Sequence, residues 1–295
     1  MHGVQAPRVT PVLPDLSIRQ LEYLVAVADA PTWAAAADRV GVSPSALSQG
    51  LAELERRVGV PLFDREGRRR VFRPAATPVL DHARQVVALT GDLARWASRT
   101  AAGETGRLGV GMIDAAAVAH FPAALRDFRD ARPDLDLHLR VAPSGELLDE
   151  LVGGALDLVV CVDPGDTVRG IDCTPLLEED LAVYRPDGKR PTRPATWGPW
   201  VLFPETSHTR SVIVDALTRL GAPIEVVAES HQPEVLREMV ALGLGWTVLP
   251  VAQAEVGDRP LRNGRVVGRR TLVAATRTGA ALDPAIASLV AGLRT

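Results

Sequence analysis

The side chains with the clearest chemistry lie on one predicted helix, which begins after Ser43 and ends at Gly59. Serine is a preferred N-cap, Pro44 suits the first helical position, and glycine is common just past a helix end. One face of this helix is short and polar. Glutamine can pair with adenine through two hydrogen bonds, and serine can bond to several bases or to phosphate. The face predicts contacts with DNA from Ser43, Ser45, Ser48, Gln49, Ala52 and Arg56.

A cluster of arginines follows in a segment with the pattern of a β-hairpin. Leu62-Phe63 and Val71-Phe72 are apolar arms around a Glu66-Gly67 turn signal. Arginines on such a hairpin can neutralise DNA phosphates, and each neutralised phosphate steepens the log–log salt dependence of binding by about 0.9. An arginine run alone is more often a solvated face, so its meaning depends on the helix before it. The predicted phosphate contacts are Arg65, Arg68, Arg69 and Arg70, with Arg73 beside them.

Two more helices are predicted ahead of the polar one. Ser17 and Gln20 form an S-x-x-Q capping box, and Thr32 is an N-cap candidate for an alanine-rich second helix. A three-helix unit can be a plain packing module. Three helices and then a basic hairpin, however, follow the order of a winged helix-turn-helix, whose recognition helix enters the major groove. Residues 17–73 are predicted to be that DNA-binding domain, after a flexible tail at 1–16.

This segment resembles the N-terminal domain of LysR-type transcriptional regulators. The resemblance is carried by RQLEYLVAVAD (19–29), by AAAADRVGVSPSALSQ (34–49) and by the stretch from Leu51 to Arg65. It continues more loosely along the rest of the chain. It implies a homodimeric or homotetrameric regulator that binds double-stranded operator DNA and carries a C-terminal domain for a small effector.

Two positions depart from the family pattern. Gly50 stands where a long, often basic residue is usual, so a phosphate contact is expected to be lost. Glycine inside a helix also costs about 1 kcal/mol relative to alanine. Residues 73–77 read RPAAT where T-x-A-G is usual, so the family's threonine contact is not carried over. Pro74 and Pro78 predict that the next helix starts late or bends.

Residues 74–103 are predicted to be a linker, with an amphipathic helix over 78–100 and a short hinge at 102–104. A long apolar stripe with nothing nearby in sequence to pack on usually seeks a partner helix. The alternative is packing against its own domain. Dimerisation is favoured, because two copies would deliver two recognition helices to a pseudo-palindromic operator.

Strand and helix patterns alternate from residue 104 to the end, which predicts an α/β fold with parallel strands and right-handed crossovers. The first series runs through GRLGVGM, LDLHLRVA and LDLVVCV, with helices at 120–132 and 144–152. A second series begins near Ile171. Two lobes are predicted, lobe I at 104–163 and 268–295 and lobe II at 164–267. The resemblance implies an effector domain similar to periplasmic binding proteins.

Ligands in such folds sit beyond the carboxyl ends of strands and near helix N-termini, which favour anions. A small carboxylate is therefore one predicted effector. Acidic residues near the cleft would repel a dicarboxylate, so an amino acid or related amine is the other. By the resemblance, Ser144 occupies the place of a residue that often touches the effector; the alternative is that Ser144 and Ser207 only cap helices. The predicted effector-binding residues are Asp114, Ala115, Ser144, Gly145, Asp163, Ser207, His208, Thr209, Glu229, Gly245 and Trp246.

Length and charge agree with two functional parts. The chain has 295 residues, enough for about two domains, and 46% of them are hydrophobic. The net charge of −3 divides into +3 for residues 1–103 and −6 for the remainder, so the basic excess lies in the predicted DNA-binding part. Cys161 and Cys173 are the only cysteines and lack zinc spacing. An inert thiol in an apolar strand is favoured for Cys161 over a redox switch.

Other classes of protein fit less well. Neither a secretory signal nor a run of about 18 apolar residues is visible, so a cytoplasmic location is expected. No G-x-S-x-G, G-x-G-x-x-G or Walker motif supports an enzyme; His208 with Ser207 and Asp215 is the weak remaining candidate. A solute-binding protein would match only the C-terminal half. The sequence predicts a non-enzymatic regulator without a cofactor or metal.

Overall fold

The computed structural model describes residues 15–66, 69–101, 106–165, 168–257, 259–280 and 283–294. It divides into two units, Met1–Thr90 and Gly91–Thr295. Nearly all of the predicted N-terminal tail and the whole of the predicted hinge at 102–104 lie outside the described residues.

Local capping signals fix the helices of the first unit. The Ser17 hydroxyl accepts from the backbone N–H of Gln20, and the Gln20 side chain accepts from the N–H of Ser17, both at 3.2 Å. Ser43 accepts from the N–H of Ala46 at 3.2 Å, and Gly59 ends its helix in the left-handed region at φ +74°. The predicted capping box and caps are thus confirmed. The helices are α1 (Ile18–Asp29), α2 (Trp33–Arg39) and α3 (Pro44–Val58).

An antiparallel hairpin of β1 (Phe63–Glu66) and β2 (Arg69–Phe72) follows α3. The Trp33 ring meets Phe63 edge to face with centroids 5.2 Å apart, and Phe63 meets Phe72 at 5.8 Å. Aromatic pairs of this kind contribute about 0.5–1.5 kcal/mol of stability beyond that from burying their surface. They therefore stabilise the packing of the hairpin on the helices. The buried core of the unit includes Leu21, Leu24, Leu47, Leu51, Leu54 and Leu62.

A 3-10 turn at Pro74–Ala76 leads directly into α4 (Thr77–Ala101). Of the predicted late start or bend, the late start is wrong, because the two prolines take positions that do not need a backbone N–H. Pro74 opens the 3-10 turn, and Pro78 lies in the first turn of α4. The helix is uninterrupted over 25 residues, and the division between the two units falls within it.

A six-stranded mixed sheet forms the frame of the second unit, with strand order β4-β3-β5-β10-β6-β9. The first three strands in chain order pair in parallel, as predicted, whereas β10 is antiparallel to both of its neighbours. A separate parallel pair is formed by β7 and β8. The strands are β3 (Gly106–Met112), β4 (Leu135–Val141), β5 (Leu158–Val162), β6 (Ile171–Tyr184), β7 (Trp200–Leu202), β8 (Val226–Glu229), β9 (Thr247–Pro250) and β10 (Arg265–Arg277).

Helices cover this frame and connect its strands. Prolines or polar residues stand where these helices begin. At the N-cap of the last helix, the Asp283 carboxylate accepts a hydrogen bond from the N–H of Ala285 at 2.8 Å. The helices are α5 (Pro122–Ala131), α6 (Ser144–Val152), α7 (His208–Arg219), α8 (Pro233–Ala241), α9 (Val251–Ala254) and α10 (Pro284–Gly292).

Two buried cores define two lobes. Lobe I contains the core around β3 and β5, and lobe II contains the core around β7 and β9. The predicted division falls between 163 and 164, and the first part of β6, from Ile171 to Leu177, packs on the lobe I core. The lobe II core begins at Leu181. Both long strands, β6 and β10, cross from one lobe to the other, so the boundary falls inside them.

Candidate functional site

The polar face of α3 is open to solvent. Within the predicted base-contacting set, only Ser48 is half-buried and the rest are exposed: Ser43, Ser45, Gln49, Ala52 and Arg56. The capping hydroxyl of Ser43 also lies 3.0 Å from that of Ser45. The face therefore offers hydroxyl and amide groups on the first turns of α3, where a recognition helix meets base edges.

Arg56 is already engaged by a neighbour. Its Nε donates to Glu53 Oε2 at 2.8 Å, and Arg57 binds the same carboxylate. These hydrogen bonds lower the pKa of Glu53 to about 2. Glu53 therefore stays ionised and holds Arg56 through its Nε and Nη2 atoms. Its charge offsets part of the attraction between Arg56 and a phosphate.

The arginines of the hairpin differ in their neighbours. The Arg70 guanidinium lies over the Trp33 ring, 5.3 Å from its centroid, and Arg73 pairs with Asp64 at 3.3 Å. Arg65 pairs with Arg70 in the strand register, which puts both on the same rung of the hairpin. Arg69 is paired with Glu66 in the register. The predicted contact Arg68 lies outside the described residues.

Gly50 has a packing role that the sequence did not reveal. A Cβ at this position would lie 2.7 Å from two carbons of the Tyr23 ring, so a side chain here would have to displace that ring. Arg19 in turn lies over the Tyr23 ring at 5.7 Å. The Tyr23 ring therefore packs on α3 at a glycine, and no local sequence signal pairs Tyr23 with Gly50.

A cavity of about 360 Å³ lies between the two lobes of the second unit, and we call it the lobe cavity. Lobe I contributes the turn after β3 and the start of α6. Lobe II contributes the start of α7, the start of α8 and α9. The lining includes five predicted effector-binding residues: Asp114, Ala115, Ser144, Ser207 and Thr209. Its other polar members, which the sequence analysis missed, are His231, Gln232, Glu234, Gln253 and Arg270.

Arg270 is the centre of a buried network at the floor of the lobe cavity. It stands opposite Glu179 in the register of β10 and β6. Its Nε donates to Glu179 Oε2 at 2.6 Å, and Nη1 donates to the Thr209 hydroxyl at 2.7 Å. His120 binds the other oxygen of Glu179. Both members of the Arg270–Glu179 pair are only 3% exposed.

Burial and the neighbouring charged groups shift the pKa values of Glu179 and Arg270 in opposite directions. Burial raises the pKa of Glu179, but the hydrogen bond from His120 and the charge of Arg270 outweigh it, so the net shift is downward. Burial lowers the pKa of Arg270, and Glu179 opposes this effect. Glu179 is therefore held in its ionised form as the counter-ion of Arg270.

Asp114 is the carboxylate of lobe I nearest this network. Gln253 Nε2 donates to Asp114 Oδ2 at 2.9 Å. Burial raises the pKa of Asp114, and the charge of Glu234 raises it further, against the hydrogen bond from Gln253 and the charge of Arg270. Asp114 directly precedes a π-helical turn at Ala115–His120. A helix from 120 was predicted, but α5 starts at Pro122, a residue suited to the first helical position.

The two predicted serines do not act as helix caps. Ser207 is at the N-cap position of α7, but its hydroxyl makes no capping bond. Ser144 is the first residue of α6, and its hydroxyl accepts from the backbone N–H of Val162 at 3.4 Å. Both hydroxyls line the lobe cavity, so the interpretation of these serines as caps alone is wrong.

The remaining predicted effector contacts lie outside the lining. Asp163 accepts from the N–H of Gly165, Glu229 pairs with Arg210, and Trp246 stacks on Trp197. A side chain at Gly245 would collide with the carbonyl of Pro199, which explains that glycine by close backbone approach. Burial lowers the pKa of His208, whose neighbours on both sides do line the cavity. Gly145 follows Ser144 on α6 with open space beside it.

Family models match both parts of the chain. Residues 18–77 match the bacterial regulatory helix-turn-helix protein of the lysR family, and residues 101–295 match the LysR substrate binding domain. The chain belongs to the LysR family of DNA-binding transcriptional regulators. The predicted family, fold class and regulatory function are thereby confirmed, and the family is one of regulators rather than enzymes.

Relatives and solved structures agree with this assignment. A probable hydrogen peroxide-inducible genes activator from Streptomyces viridosporus is 32% identical to this regulator over 94% of the chain and 93% of the relative. OxyR of Escherichia coli K12 is 31% identical over 80% and 79%. A cysteine variant of full-length OxyR from Pseudomonas aeruginosa has a TM-score of 0.67 at 24% identity, covering 95% of both chains. CbnR bound to its target DNA has a TM-score of 0.60 at 21% identity, covering 95% and 99%.

The two cysteines of this LysR-type regulator are separated by a strand. Cys161 on β5 stands opposite Val273, and Cys173 on β6 stands opposite Ala275, so β10 runs between them. Two strand spacings amount to about 9–10 Å, whereas the Cα atoms of a disulfide usually lie within about 7 Å. Burial raises the pKa of Cys161 and, to a lesser extent, of Cys173. The pair is therefore placed neither to join nor to react readily.

Membrane and metal features are lacking in the part of the chain that the structure describes. None of its helices combines the length and the apolar character needed to cross a bilayer. Nor do any three of its His, Cys, Asp or Glu side chains come together as a metal site.

Proposed function

We propose that this LysR-type regulator is a cytoplasmic homo-oligomer whose binding to operator DNA is controlled by a small polar effector in the lobe cavity. The observation that carries the proposal is the cavity itself, because Arg270, only 3% exposed and paired with Glu179, lines it where both lobes meet. Burying two charges is costly unless they are well paired. A charged floor open to a cavity of this size suits recognition of a polar molecule better than plain packing.

DNA recognition is assigned to the polar face of α3, and phosphate contact to the hairpin. Gln49 is exposed on this face, and Arg70 is held over Trp33 at the hairpin. We expect Gln49→Ala to weaken binding to the operator more than binding to unrelated DNA. We expect Arg70→Ala to weaken both and to reduce the slope of log affinity against log salt by about one phosphate contact.

Fluorescence anisotropy with labelled DNA from the regulator's own promoter region would measure both effects across a salt series. Arg129→Ala is the matched control, because that arginine is 66% exposed in the second unit and pairs only with its neighbour Asp130. Equal losses on both DNAs for Gln49→Ala would contradict a base-reading role. An unchanged salt slope for Arg70→Ala would remove the hairpin from the phosphate contacts.

Oligomerisation is assigned to the exposed apolar side of α4. Leu93 and Trp96 are 56% and 37% exposed, which is costly for large apolar side chains unless another surface covers them. A second copy of α4 would bury them and would bring two α3 helices to a pseudo-palindromic operator. Light scattering coupled to gel filtration should show a dimer or tetramer that Leu93→Glu shifts towards the monomer; an unaffected assembly would place the interface elsewhere.

The effector classes predicted from the sequence are a small carboxylate and an amino acid or related amine. Several relatives are hydrogen peroxide-inducible activators, which raises peroxide as a second signal. The strand between Cys161 and Cys173 and their raised pKa values argue against a disulfide switch in this chain. A small bound molecule is therefore the signal that we propose.

A further inference from the structure

Negative charges outnumber positive charges around the lobe cavity. Arg270 is its one lining arginine, and its charge is matched by Glu179 at 2.6 Å on the next strand. Asp114 and Glu234 also line the cavity, one from each lobe. These four groups carry one positive and three negative formal charges, so a ligand meets an excess of negative charge although an arginine is present.

The two lining carboxylates come from different lobes and repel one another electrostatically. Asp114 is half-buried beside Gln253, whereas Glu234 is exposed in the first turn of α8. The negative charge of Glu234 disfavours the ionised form of Asp114 and contributes to the raised pKa of Asp114. Neither carboxylate has an arginine or lysine within ion-pair distance among the described residues.

We propose that the effector is a small organic cation whose ammonium group lies between Asp114 and Glu234. The inference rests on the proposed function, because it takes the lobe cavity as the effector site. An ammonium group has three N–H donors, so one group can bond to both carboxylates. It replaces their repulsion with two attractions, one from each lobe, and thereby favours the state in which the lobes are held together.

The rest of the cavity fits a modest carbon skeleton with few other polar groups. Ile113, Val141 and Phe203 supply apolar lining, and the hydroxyls of Ser144 and Ser207 supply neutral hydrogen-bonding groups. A volume of about 360 Å³ is near the lower end of the range for small-molecule pockets, about 300–1,000 Å³. A dicarboxylate of the same size would place both of its charges in a cavity that is already acidic.

The test uses three five-carbon probes that differ only in their end groups. They are cadaverine, 5-aminopentanoate and glutarate, with phenethylamine and 3-phenylpropionate as a bulkier pair. Thermal unfolding of the full-length protein is followed with each probe at 10 mM. We expect at least one amine-bearing probe to raise the Tm and both plain carboxylates to have no effect. Stabilisation by carboxylates alone, or by none of the amines, would overturn the assignment.

Two variants locate the ammonium group, and one controls for general charge. Isothermal titration calorimetry is performed with the stabilising amine on Asp114→Asn, Glu234→Gln and Asp163→Asn. We expect the first two to weaken binding by about 10- to 100-fold, the range of a charged hydrogen bond. Asp163 is exposed and outside the lining, so its variant should bind as the parent does. Equal affinities for all three variants would refute the placement.

Acid should weaken the same complex. The groups that face Asp114 are Glu234 on α8, Gln253 on α9, Arg270 on β10 and His231 in the lining, with Glu179 behind Arg270. As the pH falls, protonation of Asp114, whose pKa is raised mainly by burial, removes one attraction. Affinity for the amine should therefore be lower at pH 5 than at pH 7.5; the opposite trend would contradict the inference.

Failure of this inference can be separated from failure of the proposed function. Glutarate binding that Ser144→Phe abolishes would leave the lobe cavity as the effector site and would overturn only the cationic class. Binding of any probe that is unaffected by Ser144→Phe, Asp114→Asn and Glu234→Gln would place the ligand outside the cavity and overturn both.

Discussion

Replacing Arg277 should destabilise the second unit by more than any exposed arginine of the same strand. Arg277 ends β10 and is 5% exposed. Its Nε donates to Asp92 of α4 at 2.7 Å, and Nη1 donates to the carbonyls of Leu151 and Leu156. Removing one member of a buried ion pair costs about 3–5 kcal/mol. We expect the lower end for Arg277→Met, because Arg95 remains on Asp92 at 2.6 Å.

Calorimetry of the full chain can measure this loss. In a unit of about 200 residues, each kcal/mol lowers the Tm by about 2–4 °C, so Arg277→Met should lower it by about 6–12 °C. Arg269→Met is the matched control, since Arg269 lies on the same strand but is 65% exposed, and its pairs with Asp180 and Glu178 are screened by solvent. Equal shifts for the two variants would refute the reasoning.

A double variant separates an unpaired charge from lost packing. Asp92→Leu combined with Arg277→Met removes the closest ion pair of this buried cluster, and Asp157 keeps Arg95 as its partner at 3.1 Å. An apolar replacement for a buried pair is often neutral. We expect the double variant to be more stable than Arg277→Met alone, which is a coupling that independent sites would not show. If the two losses simply add, the uncompensated charge is not the cause.

Three further outcomes follow from contacts in both units. Gly50→Ala should destabilise the first unit by about 0–2 kcal/mol in urea, because a cost of about 1–3 kcal/mol for displacing the Tyr23 ring, 2.7 Å from the new Cβ, is offset by about 1 kcal/mol of helix propensity. In a Tyr23→Ala background the same change should be stabilising, and equal effects in the two backgrounds would disprove the clash. The free energy of unfolding should fall as the pH drops below about 4.5, because folding lowers the pKa of Glu179 from its ordinary value of 4.5 and its stabilisation is lost on protonation. Glu179→Gln should be less stable at pH 7 and should flatten this part of the profile. Peroxide treatment should leave Cys161 and Cys173 unjoined, as mass spectrometry without reductant would show; a mass two daltons lower would contradict the separation by β10.

The first unit was predictable because its signals are local. The capping box at Ser17 and Gln20, the cap at Ser43 and the terminal Gly59 each act within a few residues of the chain. Contacts between segments that are distant in sequence were not predicted. For Gly50, the sequence predicted only a lost phosphate contact. It did not indicate that the Tyr23 ring of α1 packs against this position.

The lobe cavity was predictable only in part, for a geometric reason. Rules about strand ends and helix starts located Asp114 and Ser144, which follow β3 and begin α6. They could not exclude His208, because one residue turns a helix by about 100° and so separates it from Thr209. Arg270 lies in mid-strand, 91 residues from its partner Glu179, and no local pattern marks such a pair.

The two buried arginines of β10 set limits on how this regulator can acquire a new signal. Arg270 forms the floor of the lobe cavity, and Arg277, about 23 Å further along the same strand, attaches to α4 through Asp92. A change at the floor would disturb the strand on which that attachment depends. Asp114, His231 and Glu234 line the cavity without belonging to β10. We expect natural diversification, and the engineering of biosensors from this chain, to succeed at these three positions while Arg270 and its counter-ion are kept.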